Sequence, residues 1–208
     1  MSRHNTERRI AVGLYASTVP KLWSQTIETH RHEVRDAIME TTWRLASTEG
    51  PMSVTMSQVA QEVGIGRATL YKYFPDIETI LHARHEQHVL EHLTRLRELR
   101  HQSDDPSERL AAVTHGYAQI CHHRAQHGSV ELSALTHQPE RVRDAERELL
   151  TLFRDVISDA TASGAVHAGV PADELALYCI HALGTAAGLP THDAVGRLVD
   201  VVLHSLRT

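Results

Sequence analysis

The chain has 208 residues, 41% of them hydrophobic, two cysteines and a formal net charge of −5. That length and apolar content support a sizeable core in one or two domains, and two cysteines are too few for a disulfide framework. No apolar run approaches the ~18 residues needed to span a membrane, and the polar start from Met1 to Arg9 is not a charged-then-apolar leader, so a reduced, cytoplasmic setting without a membrane partner is expected.

Residues 1–29 read as an N-terminal extension, with Ile10 to Trp23 predicted as an interrupted helix ended near Pro20. A longer helix is predicted from His30 to Ser47, with Ala37, Ile38, Trp43, Leu45 and Ala46 as its core face and Glu49-Gly50 as its end. A short helix then begins near Thr55, capped by Thr55 or Ser53. Met56, Val59, Ala60 and Val63 form its apolar face. Gly64 supplies the left-handed stop that lets the chain turn sharply.

Ile65 plugs the angle to a second short helix, Arg67 to Phe74. Ala68 is small enough for close approach to the first helix, and Leu70 and Phe74, four apart, face inward. Arg67, Thr69, Tyr71, Lys72 and Tyr73 are left to face outward or flank a groove. Pro75 ends the helix, because the residue before a proline disfavours helical angles, and Asp76 caps the next one. Two short helices around a tight turn, the second with a polar and aromatic outer face, form a helix-turn-helix as it is offered to a DNA groove.

The run Val59-Ala60, Gly64-Ile65, Arg67-Ala68-Thr69-Leu70-Tyr71-Lys72-Tyr73-Phe74-Pro75, with the preceding helix, resembles the DNA-binding domain of the tetracycline-repressor (TetR) family. The resemblance implies an all-α fold, with an N-terminal three-helix DNA-binding domain at 30–75 and a C-terminal helical effector-binding and dimerisation domain at 76–208. It also implies that Thr69 and Tyr71 bind backbone phosphates while Arg67, Ala68 and Lys72 lie near base edges, contacts that set register and sequence respectively. The residues expected at DNA are therefore Thr55, Arg67, Ala68, Thr69, Tyr71, Lys72 and Tyr73. Two positions depart from the family pattern. Gly66 stands where Ser or Thr is usual, so the second helix loses a side-chain cap, and Ile77 stands where Lys is usual, which puts a phosphate contact in doubt.

The remaining chain is helical by pattern, without strand-like alternation or an internal repeat. One long helix is predicted from Asp76 to Arg100, broken at Ser103–Ser107. The next, capped by Ser107 or Asp105 with Pro106 in its first turn, runs to about His127, where Gly128 stops it. A short segment, Val130 to Leu135, precedes a helix opened by Pro139 and closed by Gly164. Pro171 to Gly188 and His192 to Leu206 are the last two.

Leu110, Val113, Tyr117, Ile120 and Cys121 fall on one face of their helix, as do Val142, Ala145, Leu149, Phe153, Val156 and Ala160 on theirs. In the resembled family these helices enclose a pocket for a small inducer. Tyr117, Cys121, Phe153, Tyr178 and His181 are the candidates to line it, each adding an aromatic or polar handle to an apolar wall. With 4% aromatics, a stacked aromatic cage is not expected. The last two helices are expected at a two-fold dimer interface: Ala182, Gly184, Ala186, Ala187 and Gly188 are small, and Leu198, Val199, Val201, Val202, Leu203 and Leu206 are a large apolar supply. Ala182, Ala186, Leu198, Val202 and Leu206 are its core candidates.

The acidic balance does not oppose DNA binding, which needs a local basic face. Arg67 and Lys72 supply part of it, and Arg3, Arg8, Arg9 and Lys21 make the extension a candidate arm. Half-protonation of the 17 histidines would add about eight charges and reverse the sign of the chain. His82, His85, His88 and His92 lie three or four apart, and His88/His92 and His123/His127, the latter near Cys121, have a spacing that can pinch a metal. No second cluster completes four ligands and HExxH is absent. There is also no Walker A loop, GxGxxG or GxSxG, and an enzyme would leave Arg67, Tyr71 and Lys72 without a role. The reading is a non-enzymatic regulator without cofactor or fixed metal, a repressor that binds a double-stranded operator as a homodimer and is released by a small effector. A metal-responsive or effector-independent regulator is the alternative.

Overall fold

The computed structural model describes residues 19–126 and 140–207. These form α1 (Val19–Glu49), α2 (Met56–Val63), α3 (Arg67–Tyr73), α4 (Ile77–Arg100), α5 (Pro106–Gln126), α6 (Glu140–Ala162), α7 (Ala172–Gly184), a 3-10 turn (Thr185–Gly188) and α8 (His192–Leu206), with no strand among the described residues. The expected segment Val130 to Leu135, the arm residues Arg3, Arg8 and Arg9, and Ile10 to Thr18 lie outside them.

α1 starts well before His30. Pro20 opens this helix instead of ending one, because its missing N–H falls in the first turn, where no intrahelical partner exists. Thr26 to Glu33 are exposed, and α1 meets a core only from Val34 onward. There Ile38, Met39, Trp43, Leu45 and Ala46 pack with Val54, Val59, Ala60, Leu70, Phe74, Ile80 and Leu81. Ala37, expected on this face, is exposed, since the stripe through Ile38, Thr42 and Leu45 turns it outward.

The local stops behave as their chemistry requires. The Thr55 hydroxyl accepts the Gln58 N–H at 3.3 Å, and Gly64 ends α2 at φ 76°. The Asp76 carboxylate accepts the Thr79 N–H at 2.7 Å to start α4. Asp105, not Ser107, caps α5, accepting the Ser107 N–H at 3.0 Å. Thr191 caps α8.

The second core joins α4 to α8 around Leu96, Leu110, Val113, Phe153, Val156, Ile157, Leu183 and Val199. Helix α4 contributes to both cores, through Ile80 and Leu81 at one end and Leu96 at the other. It lies so close to α5 that a Cβ on Gly116 would stand 2.4 Å from the Leu99 side chain. Arg100 pairs with Asp155 at 3.2 Å, and Arg109 with Asp159 at 3.6 Å, tying the α4–α5 corner to α6.

Candidate functional site

The turn between α2 and α3 is held by the backbone. The Ile65 N–H donates to Ala60 O at 3.0 Å, and the Thr69 and Leu70 N–H groups donate to Gly66 O at 2.9 and 3.0 Å. No side chain caps α3 at Gly66, as the glycine there requires. Leu70 and Phe74, 0% and 2% exposed, anchor α3, and the Arg35 guanidinium of α1 covers the Phe74 ring at 4.9 Å.

That anchoring decides what α3 presents. Arg67, Ala68, Thr69, Tyr71 and Lys72 are all exposed, as is Thr55 at the start of α2. Tyr71 leaves 48% of its surface in solvent. Tyr73 differs from the other expected DNA residues. It is half-buried against the domain core, because it lies three residues from Leu70 on the same helical face.

Residues 38–83, from the second half of α1 to the start of α4, match the family model described as bacterial regulatory proteins, tetR family. Residues 38–83 are thus similar to the tetR-family domain. A TetR/AcrR-family regulator from Thermobifida fusca YX-ER1 shares the chain's fold, with a TM-score of 0.73 at 18% identity over 84% of this chain and 98% of that one. A tetR-family regulatory protein from Rhodococcus RHA1 gives 0.66 at 17% identity over 84% and 97%. AibR, solved in complex with isovaleryl coenzyme A and operator DNA, gives 0.59 at 18% identity over 84% and 98%. No curated protein matches the sequence significantly.

Behind the domain that matches the family model, α4, α5, α6 and α7 enclose a cavity of about 560 Å³. His85, His92, Leu93 and Leu96 line it from α4, Tyr117, Ile120 and Arg124 from α5, Val142, Glu146, Leu149 and Leu150 from α6, and Leu177, Ile180 and His181 from α7. Of the five residues expected there, Tyr117 and His181 line it. Phe153 is fully buried behind the wall, edge-on to Tyr117 at 5.5 Å, and Cys121 is buried beside Tyr117. Tyr178 turns outward to Ser205, its hydroxyl 3.1 Å from the serine Oγ. One step along a helix rotates a side chain by about 100°, so the neighbours Leu177 and Tyr178 part company. Arg124 and Glu146 were missed, although Arg124 lies two turns beyond Tyr117 on the same face.

Burial sets the ionisation of the wall. It raises the Tyr117 hydroxyl and the Cys121 thiol above their ordinary values. It lowers His92 to about 4, helped by the neighbouring charges of His88 and Arg124. His88 is likewise lowered to about 4 by burial and by Arg84, and His85 is lowered by burial and by Arg124. These three therefore stay neutral near pH 7 and drop out of the charge reversal expected from composition. Among the described residues no group of three His, Cys, Asp or Glu side chains is placed to hold a metal ion. His88 and His92 stack, their centroids 6.2 Å apart, and His127 lies outside the described residues.

The expected dimer residues divide. Ala186, Val202 and Leu206, at most 2% exposed, face the chain's own core. Ala182 and Leu198 are half-buried. The reason is that α8 directs its stripe Val195, Val199, Val202 and Leu206 inward against the second core. Its outer face and that of α7 expose Val201, Leu177 and Tyr178 instead. No described helix is long and apolar enough to cross a membrane.

Proposed function

We propose that the chain is a repressor that binds a near-palindromic DNA operator as a homodimer and releases it when a small molecule occupies the cavity. The observation that carries this reading is α3, whose exposed Arg67, Thr69, Tyr71 and Lys72 stand on a helix anchored by Leu70 and Phe74. Arg67 and Lys72 are suited to base edges, and Thr69 and Tyr71 to phosphates. Two copies of α3 enter successive major grooves about 34–36 Å apart. The outer faces of α7 and α8 hold the copies together through Val201, Leu177 and Tyr178.

The cavity favours effector control over constitutive binding, and the structure of AibR with both a ligand and operator DNA supports the pairing of these two sites in one fold. Helix α4 is the transmitting element, since it follows α3 in the chain, contributes to both cores and forms one wall of the cavity. An effector shifts the dimer only by its differential affinity for the DNA-competent and DNA-incompetent states.

Selection of random duplex DNA at ~0.1 M salt tests the reading, in the range where phosphate contacts still contribute strongly. Recovery of one inverted repeat is expected. Retention of DNA without sequence preference, by a protein that is monomeric, overturns it.

A further inference from the structure

Each of the four helices around the cavity lines it with aliphatic side chains, among them Val89 and Leu93 on α4, Ile120 on α5, Leu149 on α6, and Leu177 and Ile180 on α7. The polar groups in the lining are His85, His92, Tyr117, Arg124, Glu146 and His181, spread over the same four helices. Most of these are already engaged. Arg124 and Glu146 each have a partner within the chain. The Tyr117 hydroxyl, held neutral by burial, bonds to Cys121 and feels the two charges in opposite senses, Arg124 pulling its pKa down and Glu146 pushing it up. The His181 Nδ1 donates to the Leu177 carbonyl at 2.8 Å.

His85 and His92 differ. Burial and neighbouring charges keep both imidazoles neutral, and neither has a hydrogen-bond partner among the described residues. His92 stacks on His88, a contact that uses the face of its ring and leaves the nitrogens on the ring edge. A neutral imidazole has one N–H to donate and one nitrogen to accept, and buried polar groups are seldom left unpaired.

We propose that this cavity binds an uncharged molecule with an aliphatic body and a hydroxyl or ketone oxygen that hydrogen-bonds His92 or His85. The inference rests on the effector-cavity reading above. A carboxylate or ammonium head gives up its water in a lining whose own charges are already partnered, and burying an unpaired charge costs far more than burying a hydrogen-bonded hydroxyl. An entirely apolar molecule covers the imidazoles and leaves their nitrogens unpaired, which also costs free energy. A hydroxyl donates and accepts, so it pairs with either ring nitrogen, and a ketone accepts from the N–H.

Calorimetric titration of the full chain with 1-alcohols from hexanol to decanol, and with 2-ketones, 1-chloroalkanes, carboxylates and alkylamines of matched length, tests this. The best alcohol or ketone is expected to bind about tenfold or more tighter than the carboxylate and amine of its length, a gap of about 1.4 kcal/mol, and several-fold tighter than the chloroalkane. His85→Leu/His92→Leu is expected to bind the alcohol no better than the chloroalkane, whose continued binding shows that the variant is folded. His85→Gln/His92→Gln, which keeps a donor and an acceptor at each position, is expected to retain the preference. A carboxylate or amine that binds as tightly as the alcohol overturns the proposal, as does a chloroalkane that matches it or a preference that survives in the Leu variant. If Leu149→Trp, which fills the cavity, abolishes the binding of such a carboxylate or amine, the cavity reading survives that failure. If no probe binds, the proposal falls, and the cavity reading falls with it when Leu149→Trp also leaves operator affinity and release unchanged.

Discussion

Trp43 of the DNA-binding domain meets His88 of α4 edge to face, with ring centroids 4.9 Å apart and planes at 88°. His88 in turn stacks on His92 at 6.2 Å, and His92 lines the cavity. A continuous set of ring contacts thus runs from the cavity wall to the core behind α3.

The two rings make stability depend on pH. Their folded values, about 4, lie below the ordinary 6.5, so the unfolded chain holds more protons between those limits. Their neutral packing is at full strength above pH 6.5 and is lost as pH falls toward 4. The facing groups are Arg84, Glu40, His85 and Arg124 for His88, and His88, Arg124, Glu91 and His123 for His92. The double variant His88→Phe/His92→Phe keeps the rings and removes the titration. Its melting temperature should fall by several degrees less than that of wild type between pH 7 and 4.5, given ~2–4 °C per kcal/mol for a chain of this size. Equal falls in the two proteins refute the assignment.

Lys72→Ala and Tyr71→Phe should leave the melting temperature unchanged, because both side chains are exposed. Each should weaken operator binding: Lys72→Ala by about 1–3 kcal/mol where a base edge is read, and Tyr71→Phe, which removes a neutral hydrogen bond to a phosphate, without a change in the salt slope. Leu70→Ala, by contrast, removes a fully buried anchor and should cost about 2–5 kcal/mol in folding stability. Fluorescence anisotropy over a salt series, with calorimetric melting of the same proteins, separates the two kinds of loss.

Val201 is 64% exposed. Val201→Glu should leave the chain folded and, in sedimentation equilibrium, shift it from dimer to monomer. Val202→Ala, one residue on, should do the reverse, preserving the dimer while lowering stability by roughly 1–3 kcal/mol through a core cavity. A monomeric wild type removes the basis of this prediction.

Asp76→Ala deletes the carboxylate that accepts the Thr79 N–H at the start of α4. The loss should be about 1 kcal/mol in urea unfolding. Since α4 joins both cores, the whole transition should shift, without a separate early phase.

Much of the molecule was legible locally. Gly64, Thr55 and Asp76 act within three or four residues of themselves, and the Leu70/Phe74 spacing alone orients α3, so the helix-turn-helix and its exposed Arg67, Tyr71 and Lys72 follow from the residues in order. Pro20 was misread because a proline ends a helix it interrupts but begins one it opens, and sequence spacing does not distinguish the two. Ala37 and Tyr73 went to the other face because a helix with apolar residues on several sides has no orientation until it meets a neighbour.

The sequence by itself determined the helices of the described residues and the side chains that α3 exposes, because caps, turns and four-residue periodicity are short-range interactions. The tertiary structure alone decided that His85, His92 and Arg124 line one cavity, that Tyr178 leaves it, and that Val202 faces inward while Val201 faces out. Those outcomes depend on which helices pack together and at what rotation. Contacts between α4, α5, α6 and α7 settle that rotation across separations of tens of residues, where no local pattern carries the information.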